Sequence, residues 1–161
     1  MNLLPGYTIE QGSTVDQALL VKFMERTYQE QFPNQNFSHL TRTVEQYFSR
    51  DTPLWWVYDE QETKNQNQSP VACLWVGNAI DQVSGDRHPH IFLLYVIPEY
   101  RHRGIGKGLM AYIEDWATQK GDRQIGLQVF QSNTPALNLY HQLGYQEQSL
   151  WMVKSLELGN S

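Results

Sequence analysis

Two arginines and three glycines lie together in residues 101–108, which read RHRGIGKG and are called the glycine turn below. An apolar run ends before this segment, and a helical spacing of apolar residues starts within it. Because ordering glycine costs more conformational entropy than ordering any other residue, a ligand or close packing should offset that cost. Consecutive backbone N–H groups at a helix start, beside cations, favour an anionic ligand such as a diphosphate.

The spacing of the glycines excludes two common nucleotide-binding motifs. Gly104, Gly106 and Gly108 are two residues apart, whereas the dinucleotide fingerprint is Gly-x-Gly-x-x-Gly directly after a strand. Lys107 is followed by glycine, whereas a triphosphate-binding loop has Ser or Thr there. Two interpretations remain, a diphosphate cradle and a turn that only lets the helix pack closely on the preceding strand.

Length and composition indicate one globular domain over residues 1–161. The chain is 40% hydrophobic and 18% charged, and its formal charge of -5 argues against a general nucleic-acid binder, which needs a basic face. No run approaches the roughly 18 apolar residues of a membrane helix, so we expect a cytoplasmic protein without a membrane partner. The single cysteine, Cys73, lies in an apolar stretch and is predicted to be a buried thiol.

Apolar periodicity predicts one strand, then two helices, then three strands, and after these helices that alternate with strands. Strands are expected over residues 7–11, 54–59, 71–80, 88–98, 123–130 and 150–158. Helices are expected over residues 13–32, 40–49, 104–120 and 134–143. Thr14 and Gln17 fit a capping box at the first helix, and the polar segment 60–70 is predicted to be a long hairpin loop.

The glycine turn and a second segment resemble the two signatures of the GNAT N-acetyltransferases, which use acetyl-coenzyme A. The first signature, Arg/Gln-x-x-Gly-x-Gly/Ala after a strand ending in Val-x-Pro, is matched by Arg101, Gly104 and Gly106 after VIPEY. The second, Asn-x-x-Ala-x-x-Leu-Tyr followed by Gly-Phe/Tyr, is matched by Asn133, Ala136, Leu139, Tyr140, Gly144 and Tyr145. The resemblance is strong over about residues 91–156 and general in the N-terminal half.

The resemblance implies an α/β (α+β) fold, with a mixed, mostly antiparallel central sheet of about seven strands flanked by about four helices. It implies an enzyme that transfers an acetyl group from acetyl-CoA, its cosubstrate, to a primary amine of a small molecule, peptide or protein. The amine would attack directly in a ternary complex, without a metal. Such domains can dimerise through exposed strands, so a homodimer is one expectation. The alternative is a non-catalytic acyl-CoA sensor or partner-binding module.

By the same resemblance, coenzyme binding is largely a task of the backbone. The central strand is expected to be bulged near Leu94 to Val96 and to splay from the strand at 123–130, so that free backbone groups bind the pantetheine arm. An amide at or next to Val96 would polarise the thioester carbonyl. Asn133 would hold the pantetheine arm, cap the helix that follows, or do both. The predicted coenzyme-binding residues are Leu94, Tyr95, Val96, Arg101, His102, Arg103, Gly104, Ile105, Gly106, Lys107, Asn133 and Tyr140.

Acetyl transfer to an amine needs a proton acceptor and a proton donor, because the free amine is largely protonated at about pH 7. The resemblance makes Tyr140 the donor to the coenzyme sulfur, although it could be an ordinary packed aromatic. Many family members carry a glutamate on the central strand, but HIFLLYV has no carboxylate. His88 and His90 are therefore candidate bases, against an exposed loop pair, a water chain or the remote Glu30. Two histidines alone do not define a metal site.

The acceptor amine is expected to lie against the first two helices and the loop between them. Tyr28, Glu30 and Phe32 provide aromatic and acidic groups that suit an amine. The same residue types occur in any amphipathic helix and its exit loop, so the identity of the acceptor stays open.

Overall fold

Five strands form one sheet in the computed structural model of the protein, which describes residues 4–62 and 69–157. The strand order is β1-β2-β3-β4-β5, and neighbours are antiparallel except for the parallel pair β4 and β5. The strands are β1 (Tyr7–Gln11), β2 (Leu54–Asp59), β3 (Ala72–Ile80), β4 (Arg87–Val96) and β5 (Gly126–Leu127). The predicted mixed, mostly antiparallel sheet is thereby confirmed.

Four α-helices and two short 3-10 turns complete the described elements. The helices are α1 (Gln17–Gln31), α2 (Leu40–Tyr47), α3 (Ile105–Gln119) and α4 (Thr134–Gln142). The 3-10 turns are Thr14–Asp16 and Pro98–Tyr100. No helix in the described ranges is long and apolar enough to cross a membrane.

The start of the first helical segment differs from the predicted capping box. The backbone N–H of Ser13 donates to the carboxylate of Asp16 at 2.9 Å, so the box lies one residue before the predicted pair of Thr14 and Gln17. The prediction was wrong because the first turn is a 3-10 turn that precedes α1 and has its own cap.

Helices cover both faces of the sheet. Trp56 packs with residues of α1 and α2, including Phe23 at a ring distance of 5.2 Å. Its neighbour Trp55 points to the opposite face, where its ring contacts Tyr112 and Trp116 of α3 at 5.7 and 5.4 Å. Cys73 is fully buried within the α1/α2 face, which confirms its predicted core position.

Two predicted strands differ most from the structure. The strand expected over residues 123–130 contains only Gly126–Leu127, and residues 150–157 form no strand, although their spacing is typical of one. Apolar side chains of this last segment are exposed, Trp151 by 83%. A strand requires a hydrogen-bonded neighbour, which local periodicity does not provide, so the count is five rather than about seven.

The chain divides into two compact units, Met1–Gln128 and Val129–Ser161. The first contains the sheet and α1 to α3, and the second contains α4. A single domain over residues 1–161 stays a prediction. The central part of the predicted hairpin loop, residues 63–68, lies outside the described residues.

Candidate functional site

The glycine turn leads directly into α3 through two residues with left-handed backbone. His102 has φ +64°, and Gly104, the N-cap of α3, has φ +83°. A Cβ built on Gly104 would meet no atom within 4 Å, so the backbone here faces open space. A non-glycine residue with positive φ is uncommon, and such strained backbone is typical of ligand-binding turns.

The N-terminus of α3 presents several backbone donors at this turn. The first intrahelical hydrogen bond runs from the Gly108 N–H to the Gly104 carbonyl at 2.9 Å. The N–H groups of Ile105, Gly106 and Lys107 therefore have no acceptor within the helix. Ile105 anchors the helix start because its side chain is buried, whereas Lys107 is exposed. Free amides, a helix dipole and an unobstructed glycine fit the diphosphate of a coenzyme A molecule.

The strand β4 carries a bulge at Phe92. Trp75 of β3 pairs with Leu93, and the next residue of β3, Val76, pairs with Ile91, so Phe92 is the extra residue. The predicted bulge near Leu94 to Val96 is therefore present in β4 but lies earlier in the strand. The ring of Phe92 fills the space above Gly77, where an added Cβ would lie 2.1 Å from its Cζ.

The parallel strands β4 and β5 separate just before the bulge. Their register pairs His90 with Gly126 and Ile91 with Leu127, and β5 ends there while β4 continues to Val96. Within Met1–Gln128 as described, no strand pairs with that side of β4 beyond Ile91. This agrees with the expected splay and leaves that edge of β4, called the open side below, without a strand partner in this unit.

The hydrogen-bonding direction along β4 decides which amides lie on the open side. The Ile97 N–H donates to the Val71 carbonyl of the segment leading into β3 at 2.9 Å. Because backbone groups in an antiparallel pair alternate in direction, Tyr95 also faces β3, whereas Leu94 and Val96 point their N–H groups to the open side. These are two of the backbone donors that the sequence predicted for the pantetheine arm and the thioester carbonyl.

Arg101 connects the glycine turn to both β4 and α1. Its Nε donates to the Val96 carbonyl at 2.9 Å, and its Nη2 donates to Glu30 Oε2 and Oε1 at 2.7 and 2.8 Å. The Tyr95 hydroxyl donates to Glu30 Oε1 at 2.6 Å. Burial, followed by this hydrogen bond to Glu30, raises the pKa of Tyr95, so the phenol keeps its proton. The positive charge of Arg101, one of the cations expected to favour an anionic ligand, is therefore paired with Glu30.

Arg103, the second arginine of the turn, lies against Tyr100 and not against Glu30, the partner of Arg101. Its guanidinium lies 4.6 Å from the ring centroid of Tyr100, and the Tyr100 hydroxyl donates to Asp59 at 2.9 Å. The ring of Tyr7 in β1 meets Tyr100 edge to face at 6.3 Å. Arg103 is thus held by aromatic rings at the margin of the turn.

The two histidines of β4 lie beside β5. A Cβ on Gly126 would be 2.9 Å from His88 Cε1 and 3.4 Å from His90 Nδ1, so the glycine makes room for both rings. His88 is buried, and its Nδ1 lies 2.9 Å from the Pro89 carbonyl, which favours the Nδ1–H tautomer. His90 is half-buried, and burial, followed by the charge of His88, lowers its pKa. They are not an exposed loop pair.

In the second unit, Asn133 and Tyr140 lie at the two ends of α4. Asn133 is the N-cap, and its Oδ1 accepts from the Ala136 N–H at 3.3 Å, as one of the two predicted roles requires. Burial raises the pKa of Tyr140 to about 12. The Tyr140 ring meets Tyr145 edge to face at 5.8 Å. Tyr140 is therefore a neutral phenol throughout the physiological pH range.

The predicted acceptor residues separate into two environments. Tyr28 and Phe32 are partly buried against the core of the α1/α2 face, and Tyr28 contacts Phe37 at a ring distance of 5.6 Å. Glu30 points instead to Arg101. Sequence reasoning missed this pairing because the partners are 71 residues apart, and it missed the close approach of Gly126 to the histidines. Gly126, a glycine within the predicted strand RQIGLQVF, was the sequence signal for this close approach.

Comparisons with known proteins agree with this geometry. The profile of the family described as Acetyltransferase (GNAT) matches residues 21–145. The chain is 36% identical over 70 residues to an aminoglycoside N(6')-acetyltransferase type 1 of Salmonella typhimurium, covering 42% of this chain and 48% of that protein. It is 38% identical over 61 residues to a thialysine N-epsilon-acetyltransferase of Mus musculus, covering 38% and 36%. The chain thus spans half or less of these curated relatives.

A solved structure is similar over nearly the whole chain. It is that of a predicted acetyltransferase with acetyl-CoA from Clostridium acetobutylicum, with a TM-score of 0.71, 18% identity, and coverage of 92% of this chain and 96% of that chain. At this identity the likeness shows the fold alone. With the family profile matching most of its length, this chain belongs to the GNAT acetyltransferase family.

Proposed function

We propose that the chain transfers an acetyl group from acetyl-CoA to a primary amine by direct attack in a ternary complex. The observation that carries the proposal is the open glycine turn, in which Gly104 and the free amides of α3 continue from the unpaired side of β4. The names of two relatives, an aminoglycoside and a thialysine acetyltransferase, support an amine as the acceptor. The activity and the acceptor class are proposals for this chain.

The residues of β4 and the turn have distinct proposed roles. Acetyl-CoA would supply an activated thioester when bound. The amides of residues 105–107 would hold its diphosphate, and those of Leu94 and Val96 would bind the pantetheine arm and polarise the carbonyl. His102, Arg103 and Lys107 would border the anion, while Arg101 orients the turn.

One side chain would accept the proton of the amine, and a second would donate a proton to the leaving thiolate. His90, neutral at about pH 7 because its pKa is lowered, would take the proton from the amine directly or through water, with His88 beside it. Tyr140, neutral because its pKa is raised, would give its proton to the departing thiolate. Asn133 would combine helix capping with a hydrogen bond to the pantetheine arm. Tyr28 and Phe32 would line the acceptor side.

Two glycines with the same left-handed backbone allow a matched test of coenzyme binding. Gly104 and Gly121 have φ +83° and +88°, and a Cβ on either would meet nothing within 4 Å. Gly104→Ala and Gly121→Ala should each lose about 1 kcal/mol of unfolding free energy through left-handed strain. In calorimetry, only Gly104→Ala should weaken coenzyme A binding, because Gly121 lies at the other end of α3. Equal affinity in both variants would contradict the cradle.

A panel of amines tests catalysis itself. The protein, acetyl-CoA and each amine would be combined and free thiol release followed over time. Transfer predicts thiol release that depends on an amine. The alternative of a non-catalytic acyl-CoA sensor predicts tight binding of coenzyme A with no amine-dependent release.

A further inference from the structure

Four residues join three separate segments at the glycine turn, and we call them the Glu30 clamp: Glu30, Tyr95, Val96 and Arg101. Glu30 belongs to the last turn of α1, Tyr95 and Val96 end β4, and Arg101 begins the glycine turn. Both oxygens of Glu30 accept from Arg101 Nη2, and one also accepts from the Tyr95 hydroxyl. The Nε–H of Arg101 donates to the Val96 carbonyl.

Neither folding stability nor ligand charge accounts for this arrangement. The Arg101 and Glu30 side chains are 38% and 36% exposed, and ion pairs of that exposure contribute little to stability. The charge of Arg101 is already neutralised by Glu30, so its value to an anionic ligand is reduced. What the clamp does provide is geometry, because the planar guanidinium fixes several donors in one rigid fork.

Val96 links the clamp to acetyl transfer, because its amide is proposed to bind the acetyl donor and its carbonyl is bound by Arg101. Its carbonyl is held by Arg101 on the open side of β4, where its own N–H is also directed. Tyr95, one residue earlier, is held on the α1/α2 face through Glu30 and through an edge contact of its ring with Phe23 at 5.7 Å. The end of β4 is therefore held at its open edge and on its α1/α2 face.

Building on the proposed function, we propose that Glu30 is a positioning residue for acetyl transfer, acting through Arg101 rather than on the acceptor. It fixes the glycine turn and the open end of β4 relative to α1, along which the acceptor is expected. A displacement of about 1 Å between reacting groups can cost about 100-fold in rate, so loss of the clamp should lower turnover more than binding.

The test replaces Glu30 by glutamine and compares it with a matched charge change on the same helix. Glu25 has no ion pair with any residue in the ranges 4–62 and 69–157, so Glu25→Gln is the control. In Glu30→Gln, kcat should fall about tenfold or more with the acceptor KM within about threefold of wild type. Amide hydrogen exchange of residues 101–107 should become at least about tenfold faster. Glu25→Gln should leave these quantities unchanged.

Arg101→Lys separates geometry from charge. Lysine keeps the positive charge but cannot hold Glu30 and the Val96 carbonyl with one planar group, so this variant should resemble Glu30→Gln. Wild-type turnover and exchange in Arg101→Lys would overturn the proposal.

Other outcomes are also decisive. A raised acceptor KM in Glu30→Gln with unchanged hydrogen exchange would mean that Glu30 contacts the acceptor directly, and would overturn a positioning role. Unchanged kcat and exchange would do the same. If the wild-type protein acetylates no amine in the panel, the proposed transfer fails, whereas faster exchange in Glu30→Gln would still support the clamp as a structural device.

Discussion

Burial shifts the pKa values of His90 and Tyr140 in opposite directions and leaves both side chains neutral at about pH 7. It lowers the pKa of His90, with a further contribution from His88, and raises that of Tyr140 to about 12. Desolvation disfavours the charged form, which is the imidazolium in one case and the phenolate in the other. The result is an imidazole that can accept a proton and a phenol that can donate one.

Replacing Tyr140 by phenylalanine tests the proposed proton donor. The ring and its contact with Tyr145 should be kept, so coenzyme A affinity should stay at the wild-type value. Turnover should fall by about 100-fold or more, the usual contribution of a general acid. Tyr145→Phe, which removes a hydroxyl from the neighbouring ring, is the control and should retain turnover. Undiminished kcat in Tyr140→Phe would remove Tyr140 from the chemistry.

The lowered pKa of His90 predicts a dependence of stability on pH. Between about pH 6.5 and the lowered pKa, the folded protein binds fewer protons than the unfolded chain. The free energy of unfolding should therefore decrease as the pH falls from about 6.5 through that range. Urea titrations should find that His90→Gln weakens this dependence. Parallel pH curves for wild type and His90→Gln would contradict the shift.

Local periodicity located the helices well and the strands less well. The predicted α3, residues 104–120, matches Ile105–Gln119 closely because Gly104 and Gly121 mark its ends in the sequence itself. The strand expected at 150–158 failed because pairing is a property of distant segments. The bulge at Phe92 likewise depends on β3, and periodicity within β4 alone does not indicate its position.

The bulge can be tested through Gly77, over which the Phe92 ring lies. Gly77→Ala would bring a Cβ to 2.1 Å from Phe92 Cζ, so the ring must move, and overpacking of this kind costs about 1–3 kcal/mol. Urea unfolding should record this loss. The double variant Gly77→Ala, Phe92→Leu should be less destabilised than the sum of the two single variants, because the smaller side chain relieves the clash. Additive losses would mean that the two sites act independently.

At the scale of the whole molecule, the family could be recognised from the sequence, and the contacts that hold the site could not. The two signatures fall in the C-terminal half of the chain, and the family profile extends to residue 21. The Glu30 clamp joins α1 to the glycine turn across 71 residues, and only the folded chain brings its members together. The fold class was predictable, whereas the pairing of individual charges was not.

Coenzyme binding should stabilise the whole protein. A ligand at about 100 times its Kd adds about 2.7 kcal/mol, which corresponds to a rise in Tm of roughly 5–10 °C for a chain of this size. A thermal scan with coenzyme A should record that rise, and pantetheine, which lacks the diphosphate, should give a much smaller one. Equal shifts with both ligands would indicate that the glycine turn does not hold the diphosphate.

The extra residue in β4 also determines which face of the sheet each later side chain of the strand occupies. His90 pairs with Gly77 and Leu93 pairs with Trp75, and Gly77 and Trp75 lie on the same face of β3. An even-numbered and an odd-numbered residue of β4 therefore lie on the same face of the sheet. If Phe92 were paired in a regular ladder instead of bulging, strict alternation would send Tyr95 and His90 to opposite faces, and the amides now directed away from β3 would swap places with those bonded to β3. Deleting Phe92 should therefore remove the bulge and leave every later residue of β4 on its present face, because Ile91 and Leu93 already pair with consecutive residues of β3.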